Sequence, residues 1–217
     1  DTLIVTWTGK KMNLIQFFWD WQGRLGTALV LAGIWSGAWL WLDTPLLAKF
    51  GQANKPLQYQ AFAAQILDGQ KGTVKGIYVQ DVLALPVLPQ PSAQPNFVHE
   101  QPQIATQYYY ASAFGSLGII AHNHLAGKYF FDLEIGQIVQ VVYGDGLVER
   151  YLLQEIHYYR AINPHKDATD FIDLQTHEFA SASSVFSAMY GKSGRLVLQT
   201  CIAQPGENSW GRLFLIG

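Results

Sequence analysis

From Gly72 to the end of the chain, short runs of β-branched and aromatic residues alternate with Gly, Pro and Asn/Asp punctuation. That texture belongs to an all-β sandwich or barrel. The runs predict strands near Val74 to Val79, Val82 to Leu88, Leu117 to His122, Gln137 to Tyr143, Val148 to Tyr159, Arg195 to Thr200 and Arg212 to Ile216. Gly144-Asp145-Gly146 reads as a hairpin turn, because Asp-Gly supplies the positive φ angles that a tight hairpin needs. Upstream, Lys55 to Gln70 sets Leu57, Ala61, Phe62, Ile66 and Leu67 at helical spacing, so a short helix is expected to start the domain. Two stretches resist strand assignment. Pro86 to Pro102 holds five prolines and predicts an extended loop, since proline is excluded from a central strand. In Ala161 to Gly194, Asn163-Pro164 opens a loop and Ser181 to Tyr190 suits one short helix with a serine cap. A connection of that length between strands is usually functional, and substrate selection is expected there.

With 217 residues, 49% of them apolar, the chain has room for one ordinary domain and a short appendage. A net charge of −2 and the lack of any Lys/Arg run exclude nucleic acid as a partner. The appendage is Leu25 to Leu42, which carries no charge and meets the roughly 18-residue threshold for a membrane span. Trp19 and Trp21 precede it and Trp39 and Trp41 close it, where indoles settle at bilayer interfaces. Lys10, Lys11 and Arg24 before it outweigh Lys49 and Lys55 after it, which orients the amino terminus to the cytoplasm. A cleaved signal peptide shares the basic-then-apolar pattern, but no small-x-small site follows Leu42. A buried helix would place its tryptophans on one face rather than at its ends. The expected organisation is a cytoplasmic segment at 1–24, a transmembrane anchor at 25–42, a linker at 43–56 and a catalytic domain at 57–217. The protein is thereby a single-pass membrane protein with its domain on the extracytoplasmic face. Of residues 1–11, upstream of Met12, only the charges of Lys10 and Lys11 and the assignment of 1–24 enter these readings.

The chain has one cysteine, which rules out an intrachain disulfide, a zinc finger and a paired-thiol motif. A lone cysteine is ordinarily a small buried hydrophobe. Here the apolar strand ends in Leu198-Gln199-Thr200-Cys201, a loop of about ten residues follows, and a second apolar strand begins at Arg212. A thiol at a strand end beside a loop is exposed at a rim. If the two strands pair as a hairpin, Cys201 and Arg212 fall on the same rim, although pairing alone leaves open which face each occupies.

This carboxy-terminal segment resembles the signature of sortases, the bacterial surface transpeptidases, in which a Leu-x-Thr-Cys strand end precedes an arginine-headed strand. Gly118-Ile119-Ile120-Ala121-His122 is similar to the family's histidine-ending strand. Gly127, Phe130, Phe131, Leu133 and Gly136 follow it as in the family's pattern. The resemblance runs over roughly residues 57 to 217. It departs from the family at Ala121, where glycine is usual, and at Gln137, where an acidic residue is common. It implies a mainly β fold, a closed sortase-like β-barrel of about eight strands with short helices, preceded by the amino-terminal transmembrane helix.

The residue types suit the chemistry by themselves. A cysteine attacks carbonyls as its thiolate, which a nearby cation or imidazole favours. His122 suits a proton shuttle because imidazole titrates near neutrality. Arg212 keeps its charge and suits stabilising an oxyanion or gripping substrate. Thr200 would position the thiol or substrate through its hydroxyl, with Asn123 and His124 as supporting residues. His124 competes with His122, two residues on, but the strand pattern ends at His122. His122, His124 and Cys201 are also zinc-type ligands, yet no dedicated carboxylate accompanies them; no metal and no cofactor is expected. His157, His165 and His177 carry no motif and read as solvated. Arg195 begins the strand that Cys201 ends and lies roughly 20 Å away at 3.3 Å per residue.

By resemblance, Cys201 cleaves the peptide bond of a sorting motif in a secreted or membrane-tethered protein. A thioacyl enzyme forms and passes the acyl group to an amine of the cell wall or of a protein lysine. The alternatives are a thiol hydrolase on the same fold and a non-catalytic surface-binding domain.

Overall fold

The computed structural model describes residues 58–217 apart from Ala93 and Asp167. The expected anchor at 25–42 and the segments 1–24 and 43–56 lie outside the described residues. Among the described residues no helix is long and apolar enough to cross a membrane.

The helix expected at the start is α1 (Tyr59–Ile66), followed by β1 (Val74–Val79), β2 (Leu83–Pro89), β3 (Ala105–Tyr108), a single turn α2 (Tyr109–Ser112) and β4 (Leu117–Ala121). A 3-10 helix (Ala126–Asp132) leads to β5 (Ile138–Tyr143), β6 (Val148–Leu152), β7 (Glu155–Ala161), β8 (Phe171–Asp173) and β9 (Phe179–Ala180). Then come α3 (Ala182–Tyr190), β10 (Leu196–Gln204) and β11 (Glu207–Ile216). The serine cap is present: Ser181 Oγ accepts the Ser184 backbone N–H at 3.1 Å and starts α3.

The closed barrel of about eight strands is corrected by this structure. The described residues form one open sheet of eleven strands, ordered β6-β5-β1-β2-β3-β4-β10-β11-β7-β8-β9, with no pairing between its two ends. The reason lies in the expected strand Val148 to Tyr159. It divides into β6, which pairs with β5, and β7, which pairs with β11. The chain crosses the gap at Leu153–Gln154, where the Gln154 N–H donates to the Ile216 carbonyl at 2.8 Å and Leu153 is fully buried. A strand that changes partners joins the two sides covalently and leaves the ladder open.

Two other expectations change. The proline-rich loop begins after Pro89, because β2 takes in both Pro86 and Pro89. At Pro86 the strand pairs with β1 alone, since the β3 ladder starts at Val87; at Pro89 it pairs with β3 alone. Each proline stands where β2 is still an edge on one side, so its missing N–H costs no ladder bond. The loop expected between Cys201 and Arg212 is instead the far end of a long hairpin, with Pro205 and Gly206 as the turn between Gln204 and Glu207.

The sheet curls around an inner core. Val139 and Val141 of β5, Ile77 of β1, Leu85 of β2, Ile119 of β4, Leu198 of β10 and Leu213 and Leu215 of β11 pack in one cluster. The outer face of β4, β10 and β11 carries a second cluster. There Val197, Phe214 and Ile216 pack under Val185, Met189 and Tyr190 of α3 and Ala111 of α2. Gly118 makes that layer possible. A Cβ at this position would lie 2.8 Å from the Ala111 Cβ and 3.1 Å from the Tyr190 ring, so only bare backbone lets Tyr190 rest on β4.

Gly118→Ala is expected to lower stability by about 1–3 kcal/mol through overpacking, and Leu198→Ala by about 2–5 kcal/mol through the cavity it leaves. Urea unfolding measures both, and an unchanged midpoint for Gly118→Ala would show that the helical layer is not pinned there.

Candidate active site

The strand β10 lies between β4, to which it is parallel, and β11, to which it is antiparallel. Leu196 and Leu198 face the inner core and Val197 the outer layer. Alternation therefore sends Gln199 and Cys201 outward with Val197. On β11, Leu213 and Leu215 face inward and Phe214 and Ile216 outward, which puts Arg212 on the outer face. On β4, Ile119 and Ala121 face inward, and His122, the next residue, follows Gly118 and Ile120 outward.

Register completes the arrangement. Cys201 is directly opposite Arg212, and Thr200 is the partner of Ala121. Continuing the parallel register by one residue sets His122 beside Cys201. Three adjacent strands thus bring an imidazole, a thiol and a guanidinium to one level of one face. Across the antiparallel β10–β11 ladder, directly opposite residues such as Cys201 and Arg212 have Cβ atoms about 4.5–5.5 Å apart. All three are half-buried.

Each is held differently. The Arg212 Nη1 donates to the carbonyls of Ser209 at 3.0 Å and Gly211 at 2.9 Å, which folds the guanidinium against the head of its own strand. Arginine has five N–H donors; among the described residues no carboxylate pairs with Arg212, and its hydrogen bonds there are made by Nη1. The Val98 backbone and the Glu100 carboxylate lie beside the His122 imidazole. Burial, followed by the neighbouring His124, lowers its pKa below the ordinary value, against the opposing effects of Val98 and the Glu100 carboxylate. At neutral pH the ring is therefore neutral and able to accept a proton.

Thr200 faces the other way. Its hydroxyl is buried and donates to the Ala121 carbonyl at 2.8 Å, so it braces β10 against β4 beneath the site instead of reaching the thiol's face. Gly127 closes that brace. Its N–H donates to the His122 carbonyl at 2.9 Å, and a Cβ there would run into Thr200 Oγ1 and the carbonyls of Ala121 and His122. Asn123 ties the turn after His122 to the hairpin, its Nδ2 donating to the Asn208 carbonyl at 2.9 Å. His124 is exposed, with its ring 5.5 Å from that of His122 and its Nδ1 3.4 Å from Asn123 Oδ1. Among the described residues no group of three or more His, Cys, Asp or Glu side chains converges, His122, His124 and Cys201 included.

The other expected positions resolve simply. Arg195, immediately before β10, donates to the Ala188 carbonyl at 2.8 Å, at the opposite end of the strand from Cys201. His165 is solvated, lying 3.3 Å from the Glu207 carboxylate, whereas His157 is half-buried and bonded to Glu155 at 2.8 Å. The sequence reading missed Val98 and Glu100. They come from a loop distant in sequence, and one of them acts through its backbone, which no side-chain pattern reports. A pocket of about 230 Å³ between Gln90, Pro91, Ser92, Gln94, Pro95, Tyr109 and Tyr110 has none of His122, Cys201 and Arg212 in its lining.

No family model and no curated protein matches the chain. Several solved sortases are similar to it. Sortase A of Listeria monocytogenes is 16% identical, with 67% of this chain and 86% of that one covered and a TM-score of 0.41. Sortase C-1 of Actinomyces oris is 15% identical over 77% of this chain and 83% of that one, with a TM-score of 0.44. Sortase C1 of Streptococcus suis is 14% identical over 73% and 78%, with a TM-score of 0.45.

Because the folded value for His122 lies below the unfolded one, the unfolded chain binds this proton more tightly. His122 therefore takes stability away as the pH falls below about 6.5. His124→Gln removes a like-charged neighbour and is expected to raise the His122 midpoint, read from the pH dependence of its ring NMR signals. A midpoint that does not move would leave burial as the sole cause.

Proposed function

We propose that the protein is a cysteine transpeptidase of the sortase type, with residues 57–217 as its catalytic domain. The observation that carries this reading is the alignment of His122, Cys201 and Arg212 across β4, β10 and β11 on one face, above a brace that fixes the relative height of the first two strands. A buried structural cysteine would need neither neighbour.

The chemistry follows from the positions. The neutral His122 takes the proton of the Cys201 thiol, and the thiolate attacks a peptide carbonyl carbon. The developing oxyanion or an adjoining substrate carbonyl meets the N–H groups of Arg212, whose charge survives every step. The C–N bond breaks as His122 returns its proton to the departing amine, leaving a thioester on Cys201. An acceptor amine then attacks the thioester. A new C–N bond forms, the C–S bond breaks, and the amine's proton passes through His122 back to sulfur. The substrate is a sorting-motif peptide of a secreted or membrane-tethered protein, and the acceptor a cell-wall or protein amine. Anchoring through 25–42 would hold the domain at the extracytoplasmic face, where both are found.

The test is covalent trapping. Incubation with a pool of randomised hexapeptides is expected to give a mass adduct on Cys201, released by hydroxylamine as from a thioester. Cys201→Ala abolishes the adduct and the turnover while the melting temperature stays near that of the wild type. An adduct resolved by added amine supports transpeptidation, and one resolved only by water identifies the hydrolase. No adduct from any peptide, or turnover surviving in Cys201→Ala, overturns the reading and favours a binding domain. Arg212→Lys keeps the charge but loses the fork, and kcat is expected to fall about 10²–10³-fold.

A further inference from the structure

One polar side chain on the active face is unaccounted for by the reaction. Gln199 lies two residues before Cys201 on β10, on the same outward face. Its strand partners are apolar and buried, Ile120 on β4 and Phe214 on β11. An amide among such neighbours is costly unless it is hydrogen-bonded. Half of it is: the Tyr190 hydroxyl donates to Gln199 Oε1 at 2.7 Å.

Tyr190 is a rigid anchor. Its side chain is fully buried, and its ring packs on the bare backbone of Gly118 and against the rings of Phe186, Tyr108 and Phe214 with centroids 5.1, 5.4 and 6.4 Å away. With Oε1 held by that hydroxyl, the amide plane is set and Nε2 faces away from Tyr190. Nε2 has no hydrogen-bond partner among the described residues, yet every buried side-chain nitrogen and oxygen there has one. Nε2 is therefore at the accessible surface, with two N–H donors free and its acceptor half already occupied.

We propose that Gln199 is a specificity-determining residue of the transpeptidase, donating Nε2–H to a carbonyl or carboxylate oxygen of the peptide substrate, and that Tyr190 is the positioning residue that aims it. The inference rests on the thiol-transfer reading and deepens it. Two residues along a strand are about 6.6–6.8 Å, which is also the length of two residues of an extended peptide. The oxygen so recognised belongs to a residue within about two positions of the attacked carbonyl. Because the amide can only donate there, it favours acceptors and disfavours amines and guanidiniums at that place. If the pair existed only to satisfy the buried Tyr190 hydroxyl, an acceptor alone would suffice and the donor half would be idle.

The experiment uses the full chain and a fluorogenic version of a peptide recovered as the Cys201 adduct from the randomised pool. Gln199→Met is expected to raise KM roughly tenfold, the range of one lost hydrogen bond with its partner left unpaired, with kcat within about twofold. Tyr190→Phe leaves the amide unaimed and raises KM in the same direction by a smaller factor. Gln199→Glu keeps an acceptor for Tyr190 but no donor, and raises KM at least as much as Gln199→Met. The rate of Cys201 alkylation by iodoacetamide reports whether the thiol itself is disturbed and is expected to stay near the wild-type rate in Gln199→Met. Unchanged KM in Gln199→Met, or kcat and alkylation falling together with it, would show a purely structural pair and overturn the proposal while Cys201-dependent turnover stands. Turnover that survives Cys201→Ala, or a pool that yields no adduct, overturns the underlying reading and this one with it.

Discussion

The parity of side chains across the β4–β10–β11 ladder is the constraint on which the site depends. A strand sends alternate residues to opposite faces, so burying Leu196 and Leu198 in the inner core commits Val197, Gln199 and Cys201 to the outer one. The same bookkeeping on β11 and β4 commits Arg212 and His122. A slip of one residue in either pairing would turn the thiol into the core and leave its partners outside. The hydrophobic core therefore does more than stabilise the sheet. Burying Leu196 and Leu198 of β10 and Leu213 of β11 also holds Cys201 and Arg212 on the outer side.

The brace between β4 and β10 serves the same register. The buried hydroxyl of Thr200 bonds to the Ala121 carbonyl, and Gly127 packs so tightly there that no side chain fits. The turn after His122 is thereby drawn down onto the strand carrying Cys201. Asn123 adds a second tie, to Asn208 of the hairpin. On the accessible side, the loop after β2 lays Val98 against the imidazole, and α3 lays Tyr190 against Gln199. Two connections distant in sequence thus converge on a face built by three neighbouring strands.

Much of the fold was legible because strand and turn preferences are local. β1, β4, β5 and the Gly144–Gly146 turn were read to within a residue or two from alternation and punctuation alone, and the Ser181 cap from its place before an apolar run. The failures have physical causes. Short strands such as β8 and β9 exist through their pairing with neighbours rather than through propensity. Pro86 and Pro89 sit inside β2 because each falls where the strand is an edge on one side, a property of the neighbours and not of the residue. The closed barrel was expected from the resemblance, while Val148 to Tyr159 reads as one strand because nothing local marks Leu153–Gln154 as the place where partners change.

By itself the sequence determined the residue types and the strand ends that carry them: one thiol, one histidine closing an apolar strand, one arginine near the carboxy terminus. Those follow from composition and short-range pattern. It also suggested a role for Thr200 toward the thiol, because adjacency in sequence looks like adjacency in space. Only the tertiary structure decided that adjacent residues face opposite ways, that the Thr200 hydroxyl points inward to Ala121, that Val98 lies beside His122, and that Tyr190 bonds Gln199. Register and facing are set by which side of a sheet meets the core, and that choice is made by contacts between segments far apart in the chain.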